Sequence, residues 1–323
     1  MAPFQGVTNQ VFRQVFTRHF TGVDKLLTPF FTSIHKQSLS KSRSRELLHT
    51  SEHNIKVVPQ ILSKDGDEIL RFAKFCHQLG FDEINWNMGC PYPRVAHKGR
   101  GSGMLQHPEQ IERILQNIMS LLPVKLSVKL RLGYESPEEI LEIIPVFNHF
   151  PIAELAVHAR VGKQLYKGAV NVTAFEEVLR YSQIPTGYNG DIFTTDDYHD
   201  IKSRFPEIKF IMLGRGVLAD PFLPAHLKQQ PVPGLSEQKI MIRRFMDDLY
   251  FERRKQHRDG LQTLGNMKEY WWYLSFSFSN PHKVFGRLKK TKSFDDYEDA
   301  VNSIFNNFDW LGQQAGLFKQ KNR

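Results

Sequence analysis

The sequence predicts an α/β protein in which a parallel TIM (β/α)8 barrel is followed by a smaller C-terminal all-helical domain. Short β-branched runs alternate with helical patterns about eight times over the first ~220 residues, and barrels of this kind usually take about 250 residues. A segment rich in Pro and Gly at residues 230–234 then gives way to helical patterns alone. We therefore divide the chain into a barrel domain, residues 1–230, and a helical domain, residues 231–323.

The individual elements follow in chain order. Apolar and β-branched runs predict strands at residues 1–4, 25–28, 56–62, 83–87, 126–132, 154–158, 185–189 and 210–213. A helix is expected over residues 65–77, stopped by Gly80. Another is expected after Ser136, which would be its N-cap, with Pro137 at N1 and Glu139 completing a capping box. In the second domain, apolar periodicity predicts helices over residues 237–256 and 297–305.

Unusual polar and glycine residues stand where the predicted strands end. They are Gln60, Asn87, Cys90, Lys129, Arg131, His158, Arg160, Asn189, Gly190, Asp191, Gly214, Arg215 and Gly216. Each is weak alone, since a lone His158 is more often a hydrogen-bonded structural residue. Because active sites of such barrels lie at the carboxyl ends of the strands, the set together predicts a site. The glycines after strands seven and eight suit a phosphate.

Residues 83–105 are typical of a catalytic loop. A strand runs into Cys90 and then into a glycine-rich basic segment that carries Arg94, Lys98 and Arg100. Glycines at 99, 101 and 103 let backbone approach a ligand. A lone cysteine is more often a small core residue, so the interpretation of Cys90 as catalytic depends on the other strand ends.

Seven separated motifs resemble those of the flavin-dependent tRNA-dihydrouridine synthases. They are Ala2-Pro3-Phe4-Gln5-Gly6-Val7-Thr8, Gln60, Asn87-Met88-Gly89-Cys90-Pro91, Lys129-Leu130-Arg131-Leu132-Gly133, His158-Ala159-Arg160 with Tyr166-Lys167-Gly168, Asn189-Gly190-Asp191-Ile192 and Gly214-Arg215-Gly216. The resemblance implies an FMN-binding barrel, a helical domain behind it and NADPH as the electron source. The bacterial group acting at position 16 is one candidate subgroup, and the target uridine stays open.

The resemblance also implies roles for these residues. The flavin ring would lie against Pro3, Phe4 and Gln5, with Gln60 and Lys129 at its polar edge. The phosphate would lie among Asn189, Gly190, Asp191, Gly214 and Arg215, with His158 near the cofactor. Hydride would pass from N5 of reduced FMN to C6 of the uracil, and Cys90 would protonate C5 as a general acid. The expected tRNA contacts in the barrel are Asn87, Arg94, Lys98, Arg131, Arg160, Tyr166 and Lys167.

Three positions depart from the family pattern. Met1 directly precedes Ala2, so we expect either a very short first strand or residues missing before it. At the end of the second strand, many relatives have a Glu where this chain reads Thr28-Pro29-Phe30-Phe31, so a substrate contact made by that Glu is not expected here. Ala159 replaces the commoner Gly, a small change that leaves the site intact.

The charge balance fits an anionic partner, for which tRNA is the candidate. The net charge is +9, and residues 231–323 hold 16 Lys and Arg against 11 Asp and Glu, a net charge of +5. The run Arg287, Lys289, Lys290 and Lys292 is either a solvated face or an RNA-backbone contact. The aromatic residues 270–274 are expected in a helical core rather than under stacked bases. The helical domain is thus expected to bind tRNA and to contribute little to flavin chemistry.

Composition also sets expectations about cofactors and location. Two cysteines, Cys76 and Cys90, argue against a disulfide framework and a four-ligand zinc site, so no metal is expected. No stretch reaches the ~20 apolar residues of a membrane span, and the start lacks a signal-peptide pattern. A cytoplasmic monomer without membrane contact is the expectation.

Two other functions stay open on the sequence. One is an FMN-dependent barrel oxidoreductase acting on a free pyrimidine, such as a pyrimidine dehydrogenase, which leaves the basic helical domain unexplained. The other is a non-catalytic RNA-binding protein, which leaves Gln60, Lys129 and Cys90 unexplained. A yellow purified protein excludes the second, and reduction of tRNA but not of free uracil or dihydroorotate excludes the first.

Overall fold

The computed structural model describes residues 1–34, 41–47, 55–256 and 260–315. The strands are β1 (Lys25–Leu27), β2 (Lys56–Val58), β3 (Gln60–Ile61), β4 (Glu83–Met88), β5 (Lys125–Gly133), β6 (Leu155–Val161) and β7 (Thr186–Asn189). The helices of the first 230 residues are α1 (Gln10–His19), α2 (Lys41–Arg45), α3 (Gly66–Gln78), α4 (Pro93–Ala96), α5 (Pro108–Ile118), α6 (Glu139–Asn148), α7 (Val172–Tyr181), α8 (Thr195–Arg204), α9 (Arg215–Ala219) and α10 (Leu223–Leu227). They are followed by α11 (Leu235–Gln256), α12 (Gly260–Leu274), α13 (Pro281–Lys289) and α14 (Phe294–Asn307).

The strands form a parallel barrel. β1 pairs with β2, and β3 to β7 pair in chain order. Phe31 joins the two groups, because its N–H donates to the Gln60 carbonyl at 2.7 Å and its carbonyl accepts from Leu62 at 2.8 Å. On the other side, Tyr188 of β7 bridges to Ile211. The predicted α/β barrel with following helices is confirmed.

The first residues complete the ring. The Ala2 N–H donates to the Leu213 carbonyl at 2.7 Å, and the Leu27 N–H donates to the Met1 carbonyl at 3.3 Å. Met1 and Ala2 therefore lie between β1 and residues 211–213. The turn that follows is fixed by Thr8, whose hydroxyl oxygen accepts from the Phe4 N–H at 2.8 Å.

Three predicted strands differ from those observed. Residues 1–4 take part in ring closure without forming an assigned strand, because the chain turns at Phe4. The strand over 56–62 is divided into β2 and β3 at Pro59, which has no N–H for a ladder bond. Residues 210–213 form only the bridge at Ile211, and next to it the Asn189 side-chain amide donates to the Met212 carbonyl at 2.7 Å.

The end signals predicted for α3 are present in the structure, and the N-cap predicted for α6 is not. Asp65 caps α3 by accepting from the Asp67 and Glu68 N–H groups, and Gly80 follows that helix with φ +86°. Ser136, in contrast, is not the cap of α6, which begins at Glu139. The Glu139 carboxylate folds back over the preceding loop and accepts from the N–H groups of Tyr134, Glu135 and Ser136. The Glu139 side chain therefore holds the loop over residues 134–136, and Ser136 does not cap the helix.

The C-terminal helices pack against α1 through aromatic side chains. Phe245 of α11 contacts Phe12, Phe16 and Phe20, with ring centroids 5.0 to 6.3 Å apart. Tyr270 of α12 stacks on Phe12 and donates its hydroxyl hydrogen to the Val7 carbonyl at 2.7 Å. One continuous apolar cluster spans both regions, so the division at residue 231 stays a prediction. Within the described residues, no helix is long and apolar enough to cross a membrane.

Asp220 is a buried carboxyl group between α9 and α10. Its Oδ1 accepts from the Phe222 N–H at 3.0 Å, and its Oδ2 has no hydrogen-bond partner among the described residues. Burial raises the pKa of Asp220 from 3.8 to about 7. Between these two values the folded state holds a proton that the unfolded state has released. The contribution of Asp220 to stability therefore falls as the pH rises from about 4 to about 7.

We predict that Asp220→Asn raises the free energy of unfolding above about pH 7, by on the order of 1 to 3 kcal/mol. The neutral amide keeps one polar bond without the cost of a buried charge. Urea unfolding at several pH values would measure the difference, which should shrink toward about pH 4. Asp200→Asn, at an exposed position on α8, is the control. Equal pH dependence in wild type and Asp220→Asn would contradict this account.

Candidate active site

Two adjoining cavities lie at the carboxyl ends of the strands. The larger has a volume of 310 Å³ and the smaller 50 Å³. Both are lined by Pro3, Phe4, Lys129, His158 and Tyr166. The larger is also lined by Gln5, Gln60, Asn87, Cys90 and Arg131, and the smaller by Asn189, Gly190, Asp191, Gly214 and Arg215. The structure thus brings together the catalytic and cofactor-binding residues predicted from the strand ends.

An amide network on β3 and β4 fixes the loop after β4. The Gln60 side-chain amide donates to Asn85 Oδ1 at 2.8 Å, and the Asn87 amide donates to Gln60 Oε1 at 2.7 Å. Asn87 Oδ1 accepts from the N–H groups of Gly89 and Cys90 at 3.0 and 2.9 Å. The amide of Asn87, an expected tRNA contact, is therefore bonded to Gln60 and to the backbone of Gly89 and Cys90.

The Cys90 thiol lies in the larger cavity, and the residue is 7% exposed. The Cys90 carbonyl accepts from the N–H and the hydroxyl of Ser102, both at 3.1 Å. Gly101 lies against this carbonyl with φ +56°, and a Cβ there would lie 2.6 Å from its oxygen. Burial raises the pKa of the thiol, and the nearby cations of Arg131 and Lys129 oppose this rise. The net effect is a thiol that holds its proton at neutral pH.

A cluster of cations surrounds the region where the two cavities meet. Burial lowers the pKa of His158 well below its ordinary value. The positive charges of Arg131, Lys129, Arg160 and Arg215 lower it further. The imidazole is therefore neutral, and its Nε2 accepts from Arg160 at 3.2 Å. Burial and the charge of Arg131 lower the pKa of Lys129 to about 7.

Asp191 is the carboxylate that lies within this cluster. Its Oδ1 accepts from Arg160 at 3.0 Å and from Arg215 at 2.6 Å. The side chain predicted to face a phosphate thus faces two guanidinium groups. Among the described residues, Asp191 faces the buried guanidinium groups of Arg160 and Arg215, and buried Arg131 and half-buried Lys129 lie nearby, which leaves an excess of positive charge that a bound anion would offset.

Arg160 and Arg131 have structural partners that the sequence did not reveal. Arg160 is 0% exposed and donates to the Gly168 carbonyl, His158 and Asp191, so it has no donor to offer a large nucleic acid. The predicted contact of Arg160 with tRNA does not fit this burial. Arg131 is also buried and donates to the carbonyls of Gly89 and Val161 at 3.1 and 2.9 Å. Because Arg131 lines the larger cavity, it is accessible only to a group that enters it.

Tyr166 and the remaining predicted tRNA contacts lie nearer the surface. The Tyr166 ring lies between two guanidinium groups, 5.3 Å from that of Arg131 and 4.8 Å from that of Arg215. Tyr166 is half-buried. The exposed residues among the candidate tRNA contacts are Arg94, Lys98, Lys167, Arg287, Lys289, Lys290 and Lys292. Arg287 donates to Ser303 Oγ at 2.7 Å and stacks over Phe308.

Helix α12 contributes a wall of the larger cavity that sequence reasoning missed. Glu269, Trp272 and Tyr273 line it, together with Tyr92, Pro29 and Phe30 from the barrel loops. Tyr270, Trp271 and Leu274 are buried on another face of the same helix. The expectation that residues 270–274 are all core is therefore wrong for Trp272. Separating the two helical faces by their 3.6-residue period was the signal available in the sequence.

The comparison with known protein families decides the identity of this architecture. A family model described as dihydrouridine synthase (Dus) matches residues 1–304. The chain belongs to the dihydrouridine synthase family. The resemblance read from the seven motifs is thereby confirmed.

Relatives within the dihydrouridine synthase family extend over most of the chain. It is 27% identical over 318 residues to tRNA-dihydrouridine(16) synthase of Neisseria meningitidis, covering 94% of this chain and 93% of that protein. It is 30% identical over 270 residues to tRNA-dihydrouridine synthase B of Shewanella oneidensis, covering 78% and 80%. The old yellow enzyme homologue from Zymomonas mobilis has a similar fold, with a TM-score of 0.51, 12% identity and coverage of 72% of this chain and 86% of that one.

Proposed function

We propose that this chain is a flavin-dependent tRNA-dihydrouridine synthase, which reduces the C5=C6 bond of a uridine in the D-loop of tRNA with FMN as cofactor and NADPH as electron source. One observation carries the proposal. Cys90, whose buried thiol is protonated, lines the larger cavity, and the adjoining smaller cavity is lined by basic side chains that suit an anion. The relatives named as tRNA-dihydrouridine synthases supply the substrate class.

The residues at the site fit FMN. Gly190, Gly214 and Arg215 line the smaller cavity and would hold the phosphate, whose charge matches the cationic excess. Asn189 and Asp191 are bound to Met212 and to the arginines, so they would shape this cavity rather than contact the phosphate. Pro3, Phe4 and Gln5 would lie against the ring. Lys129 and Gln60 would lie at its polar edge, with His158 as a neutral neighbour.

The protein's own groups account for the proton transfer. The hydride for C6 of the uracil would come from reduced FMN held by these residues, with NADPH as the electron source. Cys90 Sγ holds the proton that goes to C5, because burial keeps the thiol protonated. Asn87 holds the Cys90 N–H and Arg131 holds the Gly89 carbonyl, so the general acid is fixed from both sides of the loop. The cations of Arg131 and Lys129 would stabilise the thiolate left after transfer until it is reprotonated.

The exposed cations favour a macromolecular substrate over a free pyrimidine. Arg94 on α4, Lys98 just after it and Lys167 after β6 are exposed, and Lys289 and Lys290 are exposed at the end of α13. A free pyrimidine offers no phosphates to such a surface. Dihydrouridine mapping of tRNA from cells with and without the gene identifies the target uridine, and position 16 is our candidate. A monomer that acts in the cytoplasm is part of this proposal.

The first test removes the proposed proton donor. Cys90→Ala should retain FMN and accept electrons from NADPH, but lose turnover on tRNA by about 10² to 10⁴, as is typical of general acid catalysis. Mass spectrometry of the tRNA and absorbance of the flavin measure the two steps separately. Cys76→Ala, at a fully buried position on α3, is the matched control and should keep turnover. Near-normal dihydrouridine formation by Cys90→Ala would refute the assignment.

The second test uses the pKa of Lys129. That pKa is about 7 in the protein without a bound anion, and an anion nearby raises it, so binding above about pH 7 takes up a proton. The affinity of the apoprotein for FMN should therefore fall as the pH rises above 7, by at most about tenfold per pH unit. Flavin fluorescence titrations measure this affinity. Lys129→Met should remove the dependence and Lys125→Met, exposed on the same strand, should keep it. Parallel curves for wild type and Lys129→Met would exclude this role.

The third test concerns the basic run of α13. Neutralising Arg287, Lys289, Lys290 and Lys292 to Gln should weaken tRNA binding and flatten its salt dependence, since each phosphate contact contributes about 0.7 to 0.9 to the log–log slope. The control neutralises four exposed cations of the barrel, Lys74, Arg113, Lys125 and Lys209, with the same change in net charge. Superimposable salt titrations for the two variants would identify the run as a solvated surface only.

A further inference from the structure

A third cavity, also of 310 Å³, lies on the helical domain and shares a lining residue with the larger cavity of the site, which is called the catalytic cavity below. Its walls include Trp272, Phe276, Pro281, Phe285 and Lys289. Trp272 is the residue that lines both cavities. The volume falls within the range of about 300 to 1,000 Å³ that is usual for small-ligand sites.

The indole of Trp272 is both exposed and held in place. Trp272 is 43% exposed, whereas its neighbour Trp271 is 0% exposed. The Trp272 ring makes T-shaped contacts with Phe276 and Phe285, with centroids 5.5 and 5.0 Å away. A ring held in this way loses little conformational freedom when a ligand stacks on it. Trp272 is thus the exposed member of an aromatic cluster in which Phe276 is buried and Phe285 half-buried. An exposed indole supported in this way is suited to stacking on a flat ligand.

Positive charge borders the same cavity. Lys289, which the sequence placed in the basic run, lines the cavity beside the aromatic rings. Opposite the helical domain, the exposed ring of Tyr92 stands at the catalytic cavity. Aromatic faces with a cation beside them are the elements that bind single-stranded nucleic acid, where bases stack and phosphates are paired with basic groups.

We propose that Trp272 stacks a nucleobase of the RNA substrate next to the target uridine, with Lys289 facing the phosphate beside it. This proposal rests on the proposed function. A uracil that enters the catalytic cavity must leave its stack, which leaves the neighbouring base without a partner on one side. The indole of Trp272, which lines the catalytic cavity, would replace that lost stacking. Stacking tolerates any base, so the subsite holds the strand without selecting its sequence.

The test uses the fluorescence of Trp272 in the FMN-loaded protein. The chain has four tryptophans, and Trp86, Trp271 and Trp310 are buried, so Trp272 dominates the emission that acrylamide can quench. Binding of an unmodified tRNA transcript should quench this emission and protect it from acrylamide. Both effects should be absent in Trp272→Phe, which keeps a stacking ring and should keep most of the affinity.

A second arm measures affinity. Trp272→Ala should raise the Kd for the transcript by about 5-fold to 100-fold, the effect of losing one base–aromatic stack. Phe251→Ala, which removes an aromatic ring 58% exposed on α11 outside both cavities, should leave the Kd unchanged. If Trp272→Ala does not fold, the test rests on tRNA-induced quenching and acrylamide protection, which should be present in wild type and absent in Trp272→Phe.

The outcomes separate this proposal from the proposed function. Unchanged emission and unchanged acrylamide quenching at saturating transcript would overturn the stacking subsite, even if wild type forms dihydrouridine normally. Quenching and protection without any dihydrouridine formation would support the subsite and count against the enzymatic proposal instead. An equal Kd for Trp272→Ala and wild type, with normal folding, would also overturn the subsite.

Discussion

The site depends on like charges that are buried together at the carboxyl end of the barrel. Four basic side chains approach one another there, and Asp191 pairs with two of them, Arg160 and Arg215. Burying unbalanced charge is unfavourable, and the protein lessens the cost in two ways. His158 stays neutral, and the pKa of Lys129 falls to about 7, so that Lys129 is only partly charged in the free protein. An anionic cofactor would restore the balance, which couples its binding to the stability of the fold.

The first eight residues connect this charge cluster to the rest of the molecule. Met1 and Ala2 complete the ring of strands, Phe4 stands between the two cavities, and the Val7 carbonyl accepts from Tyr270 of α12. Phe4 also contacts Tyr273 edge to face at 5.9 Å. The same short segment thus closes the barrel, lines both cavities and contacts helix α12. For this reason α12 forms a wall of the catalytic cavity, although the sequence placed it in a separate domain.

Residue type and strand periodicity were enough to predict the barrel and the strand-end residues that line the two cavities. Strand-end residues such as Gln60, Lys129 and His158 lie in a common site because parallel strands place their carboxyl ends at one edge. The first and last strands were less predictable, since they are held by a few backbone bonds and by the Asn189 side chain rather than by a regular ladder. The burial of Arg160 could not be predicted either. Its partner Asp191 is 31 residues away in sequence, and an arginine at a strand end serves equally well as an anion ligand.

Two neighbouring tryptophans show the remaining limit of sequence reasoning. Trp271 and Trp272 have the same chemistry and adjacent positions, yet the former donates to Tyr297 in the core and the latter is exposed between two cavities. A rotation of about 100° per residue separates them, so one faces the bundle when the other faces the barrel mouth. The period separates the two faces, and the docking of α12 fixes which face is core: Tyr270 stacks on Phe12 of α1 and donates to the Val7 carbonyl. The packing that includes the Tyr270–Val7 contact therefore also leaves Trp272 exposed beside the larger cavity.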